Sequence, residues 1–321
     1  AAAVTSLLRR CPDRASAEAA PVFVGATGGA RDALKQARRK TTTTNGSSTA
    51  DAAPGDSSSV DVGALFAALE AALRRRLSTS TIRTVEVSVL DGADEARYEL
   101  QAARHALGDA GVGLLAGGGK SVQLADKDGA RAASIPLDTF AGHELVDRRG
   151  GSVGATLYDW ECRRRTTNAL HPRLRGDRLD GRIAVVELAA KTLRIALEHE
   201  AASAASSASV AGTPTSASTE TTTSSSPEDY IVVARDDAFR AVEALRRDLS
   251  QRKGRLGYDD TLHLVYATQV AAVLDLAFAP TATFVVLHDV PHRRKPGGAS
   301  SSSMTPPASW PLGFYLRHRG L

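Results

Sequence analysis

Short apolar runs that end in glycine-rich turns recur along this chain, and helical stretches lie among them. They restrict what it can fold into. Pro21-Val-Phe-Val-Gly25 is followed by a glycine-rich turn and a helical stretch from Asp32, and Gly113-Leu-Leu-Ala116 runs into Gly117-Gly-Gly119. Strands that alternate with helices in this way build an α/β protein. The remaining pattern agrees. Asp61 to Leu77 carries apolar residues at helical spacing with Asp61 as a plausible N-cap, Thr84 to Leu90 alternates as a strand, and Asp94 to Leu107 reads as a helix. Val122 to Ala125 reads as the next strand, with Asp126-Lys-Asp-Gly129 suited to a hairpin turn. Ile183 to His199, Phe239 to Leu249, Tyr258 to Phe278 and Trp310 to Arg319 read as helices, and Ile231 to Ala234 and Thr283 to Leu287 as strands.

The chain has 321 residues, enough for two lobes with their own cores. Aromatic residues make up only 5%, so Ala, Val and Leu must build those cores. The 40 basic and 36 acidic residues are interspersed, so the formal charge of +4 is not a nucleic-acid footprint. Two cysteines, Cys11 and Cys162, exclude a disulfide framework and a Cys-rich zinc site, and whether the two pair is left open. No apolar run approaches the ~20 residues that span a bilayer. The first residue is Ala1, and the reading expects a fragment whose upstream part, with any anchor or targeting segment, lies outside it. The compartment is therefore left unassigned.

Three segments are low in complexity: Lys40 to Val60, Ala201 to Pro227, and Lys295 to Pro307. Such tracts bury too little apolar area to offset ordering entropy, and they read as disordered surface insertions.

Two glycine-rich turns and one acidic helix start carry the candidate chemistry. In Gly25-Ala-Thr-Gly-Gly-Ala-Arg31, Gly28 and Gly29 allow backbone amides to approach an anion, Thr27 offers a hydroxyl, and Arg31 can reach a phosphate or sit in solvent. In Gly117-Gly-Gly-Lys-Ser121 the P-loop spacing fails, because it needs glycine where Leu114 stands. A strand follows instead of a helix, so the turn reads either as a phosphate-wrapping hairpin or as an ordinary one. Between them, Leu90-Asp-Gly-Ala-Asp-Glu-Ala-Arg97 puts Asp94 and Glu95 at a helix start. A carboxylate there either orients and deprotonates a water or merely complements the helix dipole.

Taken in order, these motifs resemble the apyrase family of nucleoside triphosphate diphosphohydrolases and guanosine diphosphatases. PVFVGATGGARDAL resembles its second motif, VLDGADEARYELQAARHAL its third, VGLLAGGGKSVQLA its fourth, and ASWPLGFYL its fifth. The resemblance implies two ribonuclease-H-like lobes of the actin–hexokinase type, with nucleotide and a divalent metal, Mg²⁺ or Ca²⁺, held in the cleft. It implies Glu95 as general base. Thr27, Gly28, Gly29, Arg31, Gly118, Gly119, Lys120, Ser121 and Gln123 would contact phosphate or nucleotide, and Trp310 would stand on the nucleotide side or serve structure. The implied division is residues 1–110 for the remainder of the first lobe, with 40–60 an insertion. Residues 111–304 form the second lobe, with 201–227 and 295–304 inserted, and 305–321 a terminal helix returning to the first. The implied reaction is hydrolysis of a terminal phosphoanhydride of nucleoside di- or triphosphates by direct attack of water. The implied setting is the secretory pathway or a membrane surface.

The chain departs from that family at several points. The first phosphate-loop motif is absent, Ala116 stands where an Asp helps to hold the metal's water shell, and Lys120 stands where a small residue is usual. The chain also resembles a second family with the same fold, exopolyphosphatase and guanosine-pentaphosphate phosphohydrolase. Its acidic motif G-x-E-E-A-R is close to Gly92-Ala-Asp-Glu-Ala-Arg97, and Ser134 to Phe140 (SIPLDTF) is similar to its Ser-x-Pro-Leu strand. A third expectation is a catalytically degenerate nucleotide-binding scaffold.

Other groupings are weaker. His143-Glu144 does not extend to a zinc helix, because Asp147 stands where the second His is needed; His288 and His292 flank Pro291; and Arg163-Arg-Arg165 reads as a basic surface run.

Overall fold

The computed structural model describes residues 22–26, 30–31, 33–34, 62–77, 85–117, 121–136, 146, 151–211, 230–252, 256–287 and 309–319. The chain divides into two compact units, Ala1–Asp91 and Gly92–Leu321.

In the first unit, strand β1 (Val22–Ala26) and strand β2 (Val85–Val89) pair in parallel, with Val22 opposite Val85 and Ala26 opposite Val89. Parallel neighbours need a long crossover, and helix α1 (Val62–Leu77) lies in it. Leu73 and Leu77 of α1 close over Val85 and Val87, with Val22, Val24 and Phe66 against them.

The second unit is built on a six-stranded sheet. Its strands are β3 (Gly113–Gly117), β4 (Ser121–Ala125), β5 (Ala133–Pro136), β6 (Arg182–Val186), β7 (Tyr230–Ala234) and β8 (Thr283–Leu287), in the order β5-β4-β3-β6-β8-β7. Strands β3, β4 and β5 form an antiparallel meander. Strands β6 and β8 continue parallel to β3, and β7 closes the edge antiparallel to β8. This is the strand arrangement of a ribonuclease-H-like lobe, extended by β7. The β4–β5 turn forms at the expected tract, where Gly129 donates to the Asp126 carbonyl at a φ of 71° that suits glycine.

Alternation along the strands sends side chains to two faces. Leu114, Ala116, Ala125, Ala184 and Val186 meet helix α2 (Gly92–Leu107) through Ala96, Leu100 and Ala103. Leu115, Leu124, Ile183, Val185 and Phe284 face the larger core. That core is roofed by helices α3 (Gly151–Leu174), α4 (Glu187–Ala211), α5 (Arg235–Gln251) and α6 (Tyr258–Ala277). Phe278 and Phe284 meet there edge to face, 5.1 Å apart. A last helix, α7 (Trp310–Arg319), packs on α2. Among the described residues no helix is long and apolar enough to cross a membrane.

Several sequence expectations are corrected. Ile183 to Val186 is strand β6, not the start of a helix; α4 begins at Glu187, which turns the chain with a φ of 55° and no intervening loop. Residues 201–211, read as part of a disordered insertion, continue α4, because their alanines are strong helix formers. The rest of that tract, Lys40 to Val60 and Lys295 to Pro307 lie outside the described residues. Helix α2, assigned by sequence to the first lobe, packs on β3, β4 and β5 in the second unit. Arg163, Arg164 and Arg165 belong to helix α3 and pair with Asp159, Asp275 and Glu161. Hydrogen bonds donated by Arg164 and Arg165 hold the Glu161 carboxyl down at about 2. Cys162 on the same helix is a buried free thiol, and Cys11 lies outside the described residues.

Candidate active site

The second unit brings the acidic helix start onto the β3–β4 hairpin. Gly92, the first residue of α2, sits against Ser134 of β5, and a Cβ at 92 would overlap the serine Cβ and lie 2.8 Å from its Oγ. Ser134 is the register partner of Gln123 on β4, and Gln123 is the partner of Ala116 on β3. Directly opposed residues share a face, so Ala116, Gln123 and Ser134 all face α2. Ser121, two residues before Gln123, shares that face.

The acidic pair splits its roles. Asp94 pairs with Arg97 at 2.8 Å, and both side chains are more than two-fifths exposed. Asp94 therefore serves the helix start and the surface. Glu95 is 5% exposed, and Glu99 one turn on is 1% exposed. The two buried carboxyls stack at i, i+4 on one flank of α2. Sequence reasoning passed over Glu99, although the spacing was the available signal.

On the hairpin, Gln123 Nε2 donates to Ser121 Oγ at 2.6 Å, and both residues are buried. Accepting from the amide leaves the hydroxyl proton of Ser121 to be donated elsewhere. Gln123 Oε1 is buried and accepts no hydrogen bond among the described residues. The turn itself, Gly118 to Lys120, lies outside the described residues, as do Thr27, Gly28 and Gly29 of the first turn. In the first unit, Arg31 Nη1 donates to the Leu90 carbonyl at 2.9 Å, and Leu90 N donates to the Ala26 carbonyl at 2.9 Å, so the residues after β1 and β2 are tied together. Trp310 opens α7; its side chain lies outside the described residues.

Among the described residues no three His, Cys, Asp or Glu side chains are grouped to hold an ion. Ala116, at the position where the resemblance implies an Asp, is fully buried in the apolar cluster with Ala96, Leu100 and Ala103. Ala116 therefore offers no oxygen to the water shell of the Mg²⁺ or Ca²⁺ that the resemblance implies.

No family model matches the chain. No curated protein matches it either. Among solved structures it is similar to the Aquifex aeolicus member of the Ppx/GppA protein family, with 11% identity over 69% of this chain and a TM-score of 0.42. The match covers 64% of that structure's length. It is also similar to an exopolyphosphatase-like protein, with 15% identity over 88% of this chain and 76% of the other and a TM-score of 0.42. Both stand with the second family named above rather than with the apyrases.

Proposed function

We propose that this chain is a phosphoanhydride hydrolase of the exopolyphosphatase kind, acting on the terminal phosphate of linear polyphosphate or of a guanosine pentaphosphate. The observation that carries this choice over a nucleoside di- or triphosphatase is the contact of Gly92 with Ser134. It joins the two stretches, Gly92 to Arg97 and Ser134 to Phe140, on which the resemblance to that family rests.

In this reading Glu95 orients a water and takes its proton during in-line attack on the terminal phosphorus. Its burial removes competing solvent and leaves a carboxylate in a low-dielectric setting where its pull on one water is strong. Ser121, its oxygen engaged by Gln123, donates its hydroxyl proton to a phosphoryl oxygen. From the sequence, Gly118, Gly119 and Lys120 in the second unit, and Thr27, Gly28, Gly29 and Arg31 in the first, are assigned to phosphate binding.

The test is phosphate release by the full chain from long-chain polyphosphate, guanosine pentaphosphate, ATP and GDP in parallel. Turnover of the first two, lost in Glu95→Gln, supports the proposal. Preference for ATP or GDP returns the apyrase reading. Binding without turnover of any of the four supports a scaffold, the reading favoured by the apolar packing of Ala116.

A further inference from the structure

Helix α7 lies along α2, the helix that carries Glu95. The approach is close: a Cβ at Gly313 would overlap the carbonyl group of Tyr98. Phe314 meets the Tyr98 ring edge to face, with centroids 5.2 Å apart, and Leu316 is 3% exposed. The Arg317 guanidinium stands over the same tyrosine ring at 5.7 Å.

On a helix surface the neighbours of a residue lie three and four positions away. For Tyr98 these are Asp94 and Gln101 on one side, and Glu95 and Ala102 on the other. Asp94 is 46% exposed, whereas Glu95 is 5% and Ala102 0% exposed. Ala102 is not part of the apolar cluster that joins α2 to the sheet. The flank of α2 on which Tyr98 neighbours Glu95 and Ala102 is buried, and α7 packs against α2 at Tyr98.

We propose that α7 is a clamp that fixes and shields the acid-bearing flank of α2, with Gly313 as its positioning residue. The proposal deepens the function above and rests on Glu95 as the base. Gly313 does not touch substrate. It sets how deeply α7 seats, and so where α2 holds Glu95 over the hairpin and how much water reaches that carboxyl. Alanine is a better helix former than glycine by about 1 kcal/mol. Helix propensity alone therefore predicts that Gly313→Ala is stabilising, and the clamp predicts the opposite.

The experiment reads two quantities on the full chain. One is labelling of Glu95 by a water-soluble carbodiimide and an amine nucleophile, followed by mass spectrometry, with exposed Asp94 as the internal reference. The other is the kcat and KM of phosphate release from polyphosphate. In Gly313→Ala the expected result is faster labelling of Glu95 at unchanged Asp94 labelling. A kcat lowered on the order of 10²-fold, with KM within about twofold, should accompany it. Phe314→Ala, which keeps the glycine and removes the ring contact, should move both quantities the same way and is read alone if Gly313→Ala does not fold. Wild-type Glu95 labelling in both folded variants overturns the clamp. Should the wild-type chain release no phosphate, the proposed function fails, and the labelling still decides the clamp: accelerated labelling upholds it and unchanged labelling overturns it.

Discussion

Gly92 and Ser134 meet so closely that no side chain fits at 92: a Cβ there would overlap the serine Cβ. The contact docks the first turn of α2 onto β5, one register step from Gln123. Gly92→Ala should therefore displace that turn. Overpacking of this kind costs on the order of 1–3 kcal/mol, and a small shift of Glu95 cuts turnover further. Removing the opposing Cβ should undo the damage. Gly92→Ala combined with Ser134→Gly is expected to recover most of the lost melting temperature and activity. A double variant no better than the single one would show that the contact is not what constrains position 92.

Glu95→Gln keeps the shape of a buried side chain and removes its basicity. Phosphate release should fall by about 10²–10⁴-fold while circular dichroism and the unfolding midpoint stay close to wild type. Asp94→Asn, at an exposed surface pair, should change turnover far less. Equal losses in the two variants would remove the distinction drawn between the inward and outward acids.

Gln123 separates stability from function. Its Oε1 is buried and accepts nothing among the described residues, a cost of roughly 1–3 kcal/mol if water does not reach it. Gln123→Met removes that atom at similar volume. The variant should unfold at or above the wild-type midpoint, yet lose phosphate release, because Ser121 no longer receives the amide hydrogen. A variant that is both less stable and fully active would show that the amide serves packing alone.

Much of this fold was legible in the chain. Strands β1, β3, β4 and β8 are short apolar runs bounded by glycine or by other turn residues, and the period-2 and 3.6 patterns place them without help. Strand β6 was not legible, because no turn residue marks its end. Val186 runs straight into α4, and the break is made by Glu187 in a backbone conformation that costs a non-glycine residue roughly 1–2 kcal/mol. Helix α3 was missed for a different reason. Its buried stripe is Ala155, Tyr158, Cys162, Thr166, Leu170 and Leu174, half of it polar or small, so apolar spacing does not announce it. The candidate site divides the same way. The residue types Glu95, Ser121 and Gln123 stood in motifs. The reason for glycine at 92 and 313 is a neighbour distant in sequence, which no local pattern records.

Ala116 tests the metal question. It is fully buried against Ala96, Leu100 and Ala103. Ala116→Asp would place a carboxylate in that apolar cluster and should cost several kcal/mol. The expected outcome is a lowered unfolding midpoint at neutral pH that recovers in part as the pH falls and the new acid is protonated. An Asp at 116 that leaves stability unchanged, and adds Mg²⁺-dependent stabilisation, would mean that the site accepts the ion after all.

Cys162 gives a pH dependence whose sign can be worked out. Burial pushes its thiol up from an ordinary 9.0 to about 12. The unfolded chain loses this proton near pH 9, whereas the folded chain keeps it until about pH 12. Between those values the unfolded state is favoured by ionisation, so the thiol's contribution is complete below pH 9 and is lost as pH rises toward 12. At pH 10.5 the loss is about 2 kcal/mol by proton linkage. Other groups titrate in the same range, so the comparison must be with Cys162→Ala, in which this one proton is absent. Urea midpoints at pH 8 and 10.5 should fall further in the wild-type chain than in the variant. Iodoacetamide should leave the native thiol unmodified at pH 8 and label it in denaturant. An identical pH response in the two chains, or rapid labelling of the native protein, would place Cys162 at an accessible surface and contradict its burial against the core.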